Sequence, residues 1–181
     1  MEGGSDFWQF SLSLYGEATV AEACLQLQDE GGADVNLLLF LLWRAAEGRR
    51  LSGAEVAAVE EAVSGWGAEV VRPLRGVRRW LKHHDGLVAA EAAETLRQEV
   101  KRLELESERL QQQAMAALAD AAAPGRPAAS PRQAAEASLA AYEAVRGRAL
   151  PAAPVAVLLG RLAARSIAAP ARAEAGGNGG G

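Results

Sequence analysis

One stretch of the chain has no polar side. Within Asp34 to Trp43, DVNLLLFLLW, the six residues Leu37 to Leu42 are all apolar. A helix that is apolar all round belongs inside a protein. Leu and Phe rather than β-branched residues fill the run, and its ends are marked, which predicts helix over buried strand. Asp34 is placed as N-cap, and Gly48 can close the far end in a left-handed conformation. From 34 to 47 such a helix runs about 20 Å at 1.5 Å per residue, well short of the ~30 Å of bilayer hydrocarbon. The pattern predicts a central buried helix over 34–47 and no membrane span.

The flanking periodicities predict helices around it. Phe7, Trp8, Phe10, Leu12, Leu14 and Tyr15 crowd an opening helix or turn that lies over the core. Val20, Ala23, Cys24 and Leu27 follow at helical spacing, with Thr19 and Glu22 as a capping box. Ser52 and Glu55 form a second capping box, opening a helix with Val56, Val59 and Val63 inward. In Trp66 to His83, WGAEVVRPLRGVRRWLKH, 100° per residue puts Val70, Leu74, Val77 and Leu81 on one face and Arg72, Arg75, Arg79 and Lys82 on another. Pro73 either starts this helix or kinks it.

A long helix is expected over about 86–119. Leu96, Leu103, Leu110 and Ala117 repeat every seven residues, interleaved by Val100, Ser107 and Ala114. This is a coiled-coil-like seam, folded back on the bundle or used as a dimer contact. Residues 120–132 read as a Pro/Ala linker. Ser130, Pro131 and Gln133 restart a helix carrying Ala135, Leu139, Tyr142 and Val145, which ends near Gly147, and a second apolar helix covers Val155 to Ile167. The expected fold is all-α: an orthogonal or antiparallel bundle domain over 1–119 around the central helix, the linker, a helical hairpin over 133–168 that docks on the bundle, and a disordered tail over 169–181.

Composition and charge narrow the context. Half the residues are apolar and the net charge is −4. No Lys or Arg precedes Arg44, whereas Glu2, Asp6, Glu17, Glu22, Asp29, Glu30 and Asp34 do. Nucleic acid is therefore disfavoured as a partner. Cys24 is single, so no internal disulfide forms, and the N-terminus has no secretory pattern; a cytoplasmic location is expected. Seventeen Arg against two Lys fits the coding bias of a GC-rich bacterial genome.

Four blocks, FWQFSLSLY, CLQLQDEGGADVNLLLFLLW, VVRPLRGVRRWLK and ELESERLQQQ, occur in this order between Phe7 and Gln113. Together they resemble a proteobacterial family of small helical proteins known as a domain of unknown function. The resemblance implies a bacterial, soluble, all-α protein, and brings no catalytic residues with it.

The candidate sites are few. Arg72, Arg75, Arg79 and Lys82, with Arg78 at the edge and Trp80 beside them, form a basic stripe that needs negative charge opposite. Glu99, Glu104, Glu106 and Glu108, or the acidic first forty residues, are the intramolecular source; a bound anion or acidic partner is the alternative. Gln28, Asp29, Asp34 and Asn36 surround Gly31 and Gly32. Capping accounts for most of them, but Asn36 sits in the first turn of an apolar helix, where a buried amide needs partners. His83, His84 and Asp85 lack a third ligand at metal-binding spacing. Neither cofactor nor catalytic motif is expected. Two functional classes remain: a non-enzymatic interaction or scaffold protein, using the 72–82 face or the 96–117 seam toward a protein partner or a second copy, and a small-molecule or anion binder with Asn36, Arg44 and Arg75 at a pocket between the central and basic helices.

Overall fold

A computed structural model describes residues 6–83, 86, 88–122 and 125–168. Apart from two short strands and the connecting turns, the described residues are helical. Helices α1 (Asp6–Tyr15), α2 (Ala18–Asp29) and α3 (Val35–Ala46) lead to strand β1 (Arg49–Arg50); α4 (Gly53–Trp66), a π-helical turn (Gly67–Val71) and α5 (Arg72–Leu81) precede the long α6 (Ala90–Ala122), strand β2 (Arg126–Pro127), α7 (Pro131–Arg146) and α8 (Ala152–Ala168).

The central helix forms as its sequence dictates. Asp34 caps it by accepting from the Leu37 amide at 3.2 Å, and Gly48, at φ 73°, ends it. Every residue from Asn36 to Ala45 is buried. Phe7 of α1 stacks on Trp43 at 5.1 Å and meets Phe40 edge-on at 5.6 Å, so the first helix does cover the core. On the other side α7 lies along α3, bringing Ala135, Leu139 and Tyr142 into the same apolar cluster, and α8 adds Leu158, Leu159 and Leu162 against α2.

Several local expectations hold: the Ser52–Glu55 capping box, the Ser130 cap on the Gln133 amide, and Gly147 in the left-handed region at φ 64°. Others are corrected. Thr19 is already inside α2, whose N-cap is Glu17 with no side-chain cap; the Glu17 carboxylate pairs instead with Arg161 of α8. The segment read as a linker is hydrogen-bonded to the bundle. β2 pairs antiparallel with β1, the Ala128 amide donates to the Gly48 carbonyl at 2.9 Å, and the Gly125 amide donates to Glu55 at 2.7 Å. The residues expected to form the tail lie outside the described residues, as do His84 and Asp85.

The largest correction concerns residues 53–81, which form one continuous helix rather than two. Arg72 donates to the carbonyl of Gly67, five residues back, and the turn is wider by one residue. A proline ring clashes with the carbonyl four residues before it, and the wide turn comes immediately before Pro73, which then sits in the first turn of α5. The inserted residue also rotates the rest of the helix. Inward positions run Val63, Gly67, Val71, Arg75, Arg78 and Leu81, so of the face expected inside Leu81 is buried but Val77 is 47% exposed, and Trp80 is 62% exposed.

The seam on α6 holds at Val100 and Ser107, which are buried, and fails at its leucines. Leu96 (54% exposed), Leu103 and Leu110 face outward, and the buried stripe is Ala93, Val100, Glu104, Ser107, Gln111, Met115 and Ala119. The long helix is folded onto the bundle, but through a side that mixes apolar residues with Glu104, Ser107, Gln111 and Gln112. Among the described residues no helix is long and apolar enough to cross a membrane.

Candidate functional site

The inward arginines of α5 meet the polar stripe of α6. Arg75 donates from Nε to Glu104 at 3.0 Å, and its other nitrogens reach Glu108 and the Gln28 side-chain oxygen on α2. Arg78 clasps both oxygens of the same Glu104. Arg79 bonds Asp29 at 2.9 Å across the surface. Burial would raise the Glu104 carboxyl, but hydrogen bonds from Arg78 and Arg75 outweigh it and hold Glu104 below the ordinary carboxylate range. Glu108 goes the other way: burial pushes it up, and Arg75 offsets only part of that.

The basic stripe is thus split. Arg75, Arg78 and Arg79 find internal counter-charges, while Arg72 and Lys82 are exposed and carry no ion pair among the described residues. Of the acids expected to neutralise it, Glu104 and Glu108 do so; Glu99 and Glu106 pair with Arg102 and Arg109 on their own helix. Gln28 and Asp29 serve as partners for the arginines, so of the polar group around the Gly31–Gly32 turn Asp34 is the cap, while Arg146 and Arg148 donate to the Gly31 and Glu30 carbonyls.

Asn36 lies beside this junction, buried as its position implied. Its Nδ2 donates to Gln111 Oε1 at 2.8 Å, and its Oδ1 accepts from Gln112 Nε2 at 2.8 Å. Three amides therefore form a ladder, which leaves Gln111 Nε2 and Gln112 Oε1 buried without a hydrogen-bond partner. Turning all three amides over keeps the ladder and exchanges its ends. In either sense one end is a free donor and the other a free acceptor.

Gln111 lines one cavity and Gln112 another. The first, of about 270 Å³, lies over the π turn and is lined by Asp34, Asn36, Glu60, Gly67, Arg72, Arg75, Gln111, Tyr142 and Arg146. The second, of about 290 Å³, is more apolar, with Trp8, Leu12, Tyr15, Leu25, Leu39 and Leu105 beside Gln112 and Arg78. Gln28, Val35, Asn36 and Arg75 belong to both and form the wall between them. Tyr142 anchors the far side, accepting from the Asp34 amide at 3.0 Å, and the Arg146 guanidinium lies over its ring at 5.1 Å. Burial raises the Tyr142 phenol above its usual range.

Of the sequence-predicted polar groups, Asn36 and Arg75 come together and Arg44 does not. Arg44 follows Asn36 by eight residues, about 12 Å along the axis, and is engaged at the other end of α3 with Glu47 at 2.5 Å and over the Trp43 ring. Trp80 and Lys82 lie on the outer face of α5, away from both cavities. His83 is exposed. Cys24 is fully buried in the core, its thiol pushed up to about 12 by burial. Residues missed by sequence reasoning are Gln111, Gln112, Gly67, Tyr142 and Arg146. The signal for the glutamines was the helical spacing of Val100, Glu104, Ser107, Gln111 and Met115, obscured because most of those positions are polar.

The profile of a family described as "Protein of unknown function (DUF2390)" matches residues 6–115, more than half of the chain. The chain belongs to this family. The matched region contains α1 to α5 and most of α6, and with them the π turn, the amide ladder and the Arg75 junction; Tyr142 and Arg146 come from beyond it. No curated protein and no solved structure matches the chain.

Proposed function

We propose that this member of the family is a small-molecule-binding protein whose site is the pair of cavities divided by Asn36 and Arg75. The observation that carries the reading is the ladder Gln111–Asn36–Gln112, which spans a buried wall and ends in an unpartnered amide atom on each side. Buried polar atoms without partners cost about 1–3 kcal/mol each, and three amides held in fixed positions beside a cavity are what a site needs to orient a polar ligand. The proposal assigns binding and no reaction.

The test is a thermal-shift screen of polar metabolites against the wild-type protein. A ligand at about 100 times its dissociation constant adds ~2.7 kcal/mol of stability, so a rise in melting temperature that is lost in Gln111→Leu is the expected result. A panel without a single hit contradicts the reading.

A second reading is favoured by a different observation, the exposure of Leu96, Leu103 and Leu110 on one side of α6 and of Val77 and Trp80 on α5. These surfaces fit a protein-interaction or scaffold role, with a protein partner or a second copy of the chain as the occupant. Sedimentation of the wild type and of Leu103→Glu at rising concentration separates the second copy from the rest: association abolished by the substitution supports it, and a monomer throughout removes it.

A further inference from the structure

Gly67 sits inside a continuous helix, at φ −59° and ψ −40°, a conformation any residue can adopt. Glycine there weakens the helix, so its lack of a side chain invites another reason. Gly67 is buried in the lining of the first cavity, and a Cβ there would meet three polar atoms: Gln111 Nε2 at 3.5 Å, Asp34 Oδ2 at 3.6 Å and Arg72 Nη1 at 3.8 Å. They come from α6, the cap of α3 and the start of α5, and the π turn places Gly67 between them; such turns often occur at functional sites.

None of the three is satisfied by the others. Gln111 is 2% exposed and its Nε2 has no acceptor. Asp34 uses Oδ1 on the Leu37 amide, while Oδ2 faces the cradle. Arg72 has no acid at ion-pair distance among the described residues. Across the cavity Glu60 and Arg146 add one charge of each sign, and Arg75 is already matched by Glu104 and Glu108. A simple anion in this space would meet Asp34 and Glu60, and a simple cation would meet Arg72 and Arg146. A ligand carrying both charges close together meets neither penalty.

Resting on the binding reading above, we propose that the first cavity takes a free α-amino acid as its zwitterion, with the carboxylate on Arg72 and Gln111 Nε2 and the ammonium on Asp34 Oδ2. The ammonium nitrogen and carboxylate carbon of an amino acid are about 2.5 Å apart, from standard bond lengths. Donor and acceptor atoms all within 4 Å of one point match that separation. A cavity of about 270 Å³ is near the small end of ligand pockets, roughly 300–1,000 Å³.

The experiment is calorimetric titration of the full chain with the common α-amino acids and, for any that bind, with the matching amine lacking the carboxylate and the 2-hydroxy acid lacking the ammonium. Three proteins are compared: wild type, Gly67→Ala, which puts a methyl group in the cradle at ordinary contact distances, and Asp34→Asn, which keeps the helix cap and removes the charge. The expected result is an amino acid that binds wild type about tenfold or more tighter than either analogue. Gly67→Ala then melts at or above the wild-type temperature yet loses binding, and Asp34→Asn weakens the amino acid but not its hydroxy acid. Equal binding of the hydroxy acid overturns the zwitterion assignment, as does an amino acid that binds Gly67→Ala as well as wild type. If other polar metabolites bind at this cavity and amino acids do not, this inference falls while the binding reading stands; if nothing binds, both fall.

Discussion

Helices α3 and α5 are both held by their neighbours, α3 on every side and α5 chiefly on the side that meets α6, and by opposite chemistry. α3 buries an unbroken apolar run against α1, α7 and α8, and its contacts are indifferent to which atom of a leucine touches which. α5 turns two arginines inward onto Glu104 and Glu108 and leaves Val77 and Trp80 outside. An apolar helix is stabilised by burial alone, roughly 25 cal/mol per Å². A charged interface contributes little net stability even when paired, because desolvation cancels most of the attraction, yet breaking it is costly. The first helix makes the fold; the second fixes where polar groups stand, and residues of both line the two cavities.

The strongest way to test this difference is at the centre of α3. Leu41 is fully buried, and Leu41→Ala is expected to cost about 2–5 kcal/mol, toward the upper end, in urea unfolding. A loss under 1 kcal/mol would mean the core is looser than described. Next comes charge reversal on α5. Arg75→Glu sets a third carboxylate beside Glu104 and Glu108 and is expected to cost about 2–4 kcal/mol, below a fully buried pair because the Arg75 side chain keeps 18% exposure. Arg79→Glu, whose pair with Asp29 is half exposed on both sides, is expected to cost less than about 1 kcal/mol. Equal effects at the two positions would erase the distinction between inner and outer arginines.

A smaller effect comes from titration. Burial holds the folded Glu108 carboxyl above the ordinary glutamate value of 4.5, so the folded state keeps this proton more tightly than the unfolded chain. The stability linked to it is present below pH 4.5 and lost as pH rises through the raised value. Glu104 has the opposite sign: its carboxyl is held low, so its contribution is present above 4.5 and lost as pH falls through the lowered value. Unfolding measured across this range should show wild type losing stability relative to Glu108→Gln as pH rises, and losing it relative to Glu104→Gln as pH falls.

Legibility in the sequence divides along the same line. The buried run of α3, the Asp34 and Ser130 caps, the Ser52–Glu55 box and the apolar face of α7 were legible because each is written in residue type and local spacing. The α5–α6 interface was legible only in part: Glu104 and Glu108 were among the acids expected to neutralise the basic stripe, but an amphipathic reading sends charge outward by default and does not show that Arg75 and Arg78 turn inward to meet them. The heptad of leucines on α6 was misassigned because the real inward stripe is mixed, with Glu104, Ser107 and Gln111 between Val100 and Met115. The π turn hid a further rotation, since a constant 100° per residue does not survive an inserted residue at Gly67–Val71. Asn36 was recognisable as a buried amide, while its partners at Gln111 and Gln112, about seventy-five residues on, were beyond any local pattern.

The central claim is that the ladder Gln111–Asn36–Gln112 is kept for a ligand rather than for the fold, and the most direct measurement is the unfolding free energy of Asn36→Leu/Gln111→Leu/Gln112→Leu in urea. Replacing hydrogen-bonded groups together with the unsatisfied ends by apolar side chains of similar size is near neutral or stabilising when they do not carry the structure. The account predicts a triple variant within about 1 kcal/mol of wild type or above it. A loss of more than about 3 kcal/mol would show that the amides hold the fold, and would contradict it.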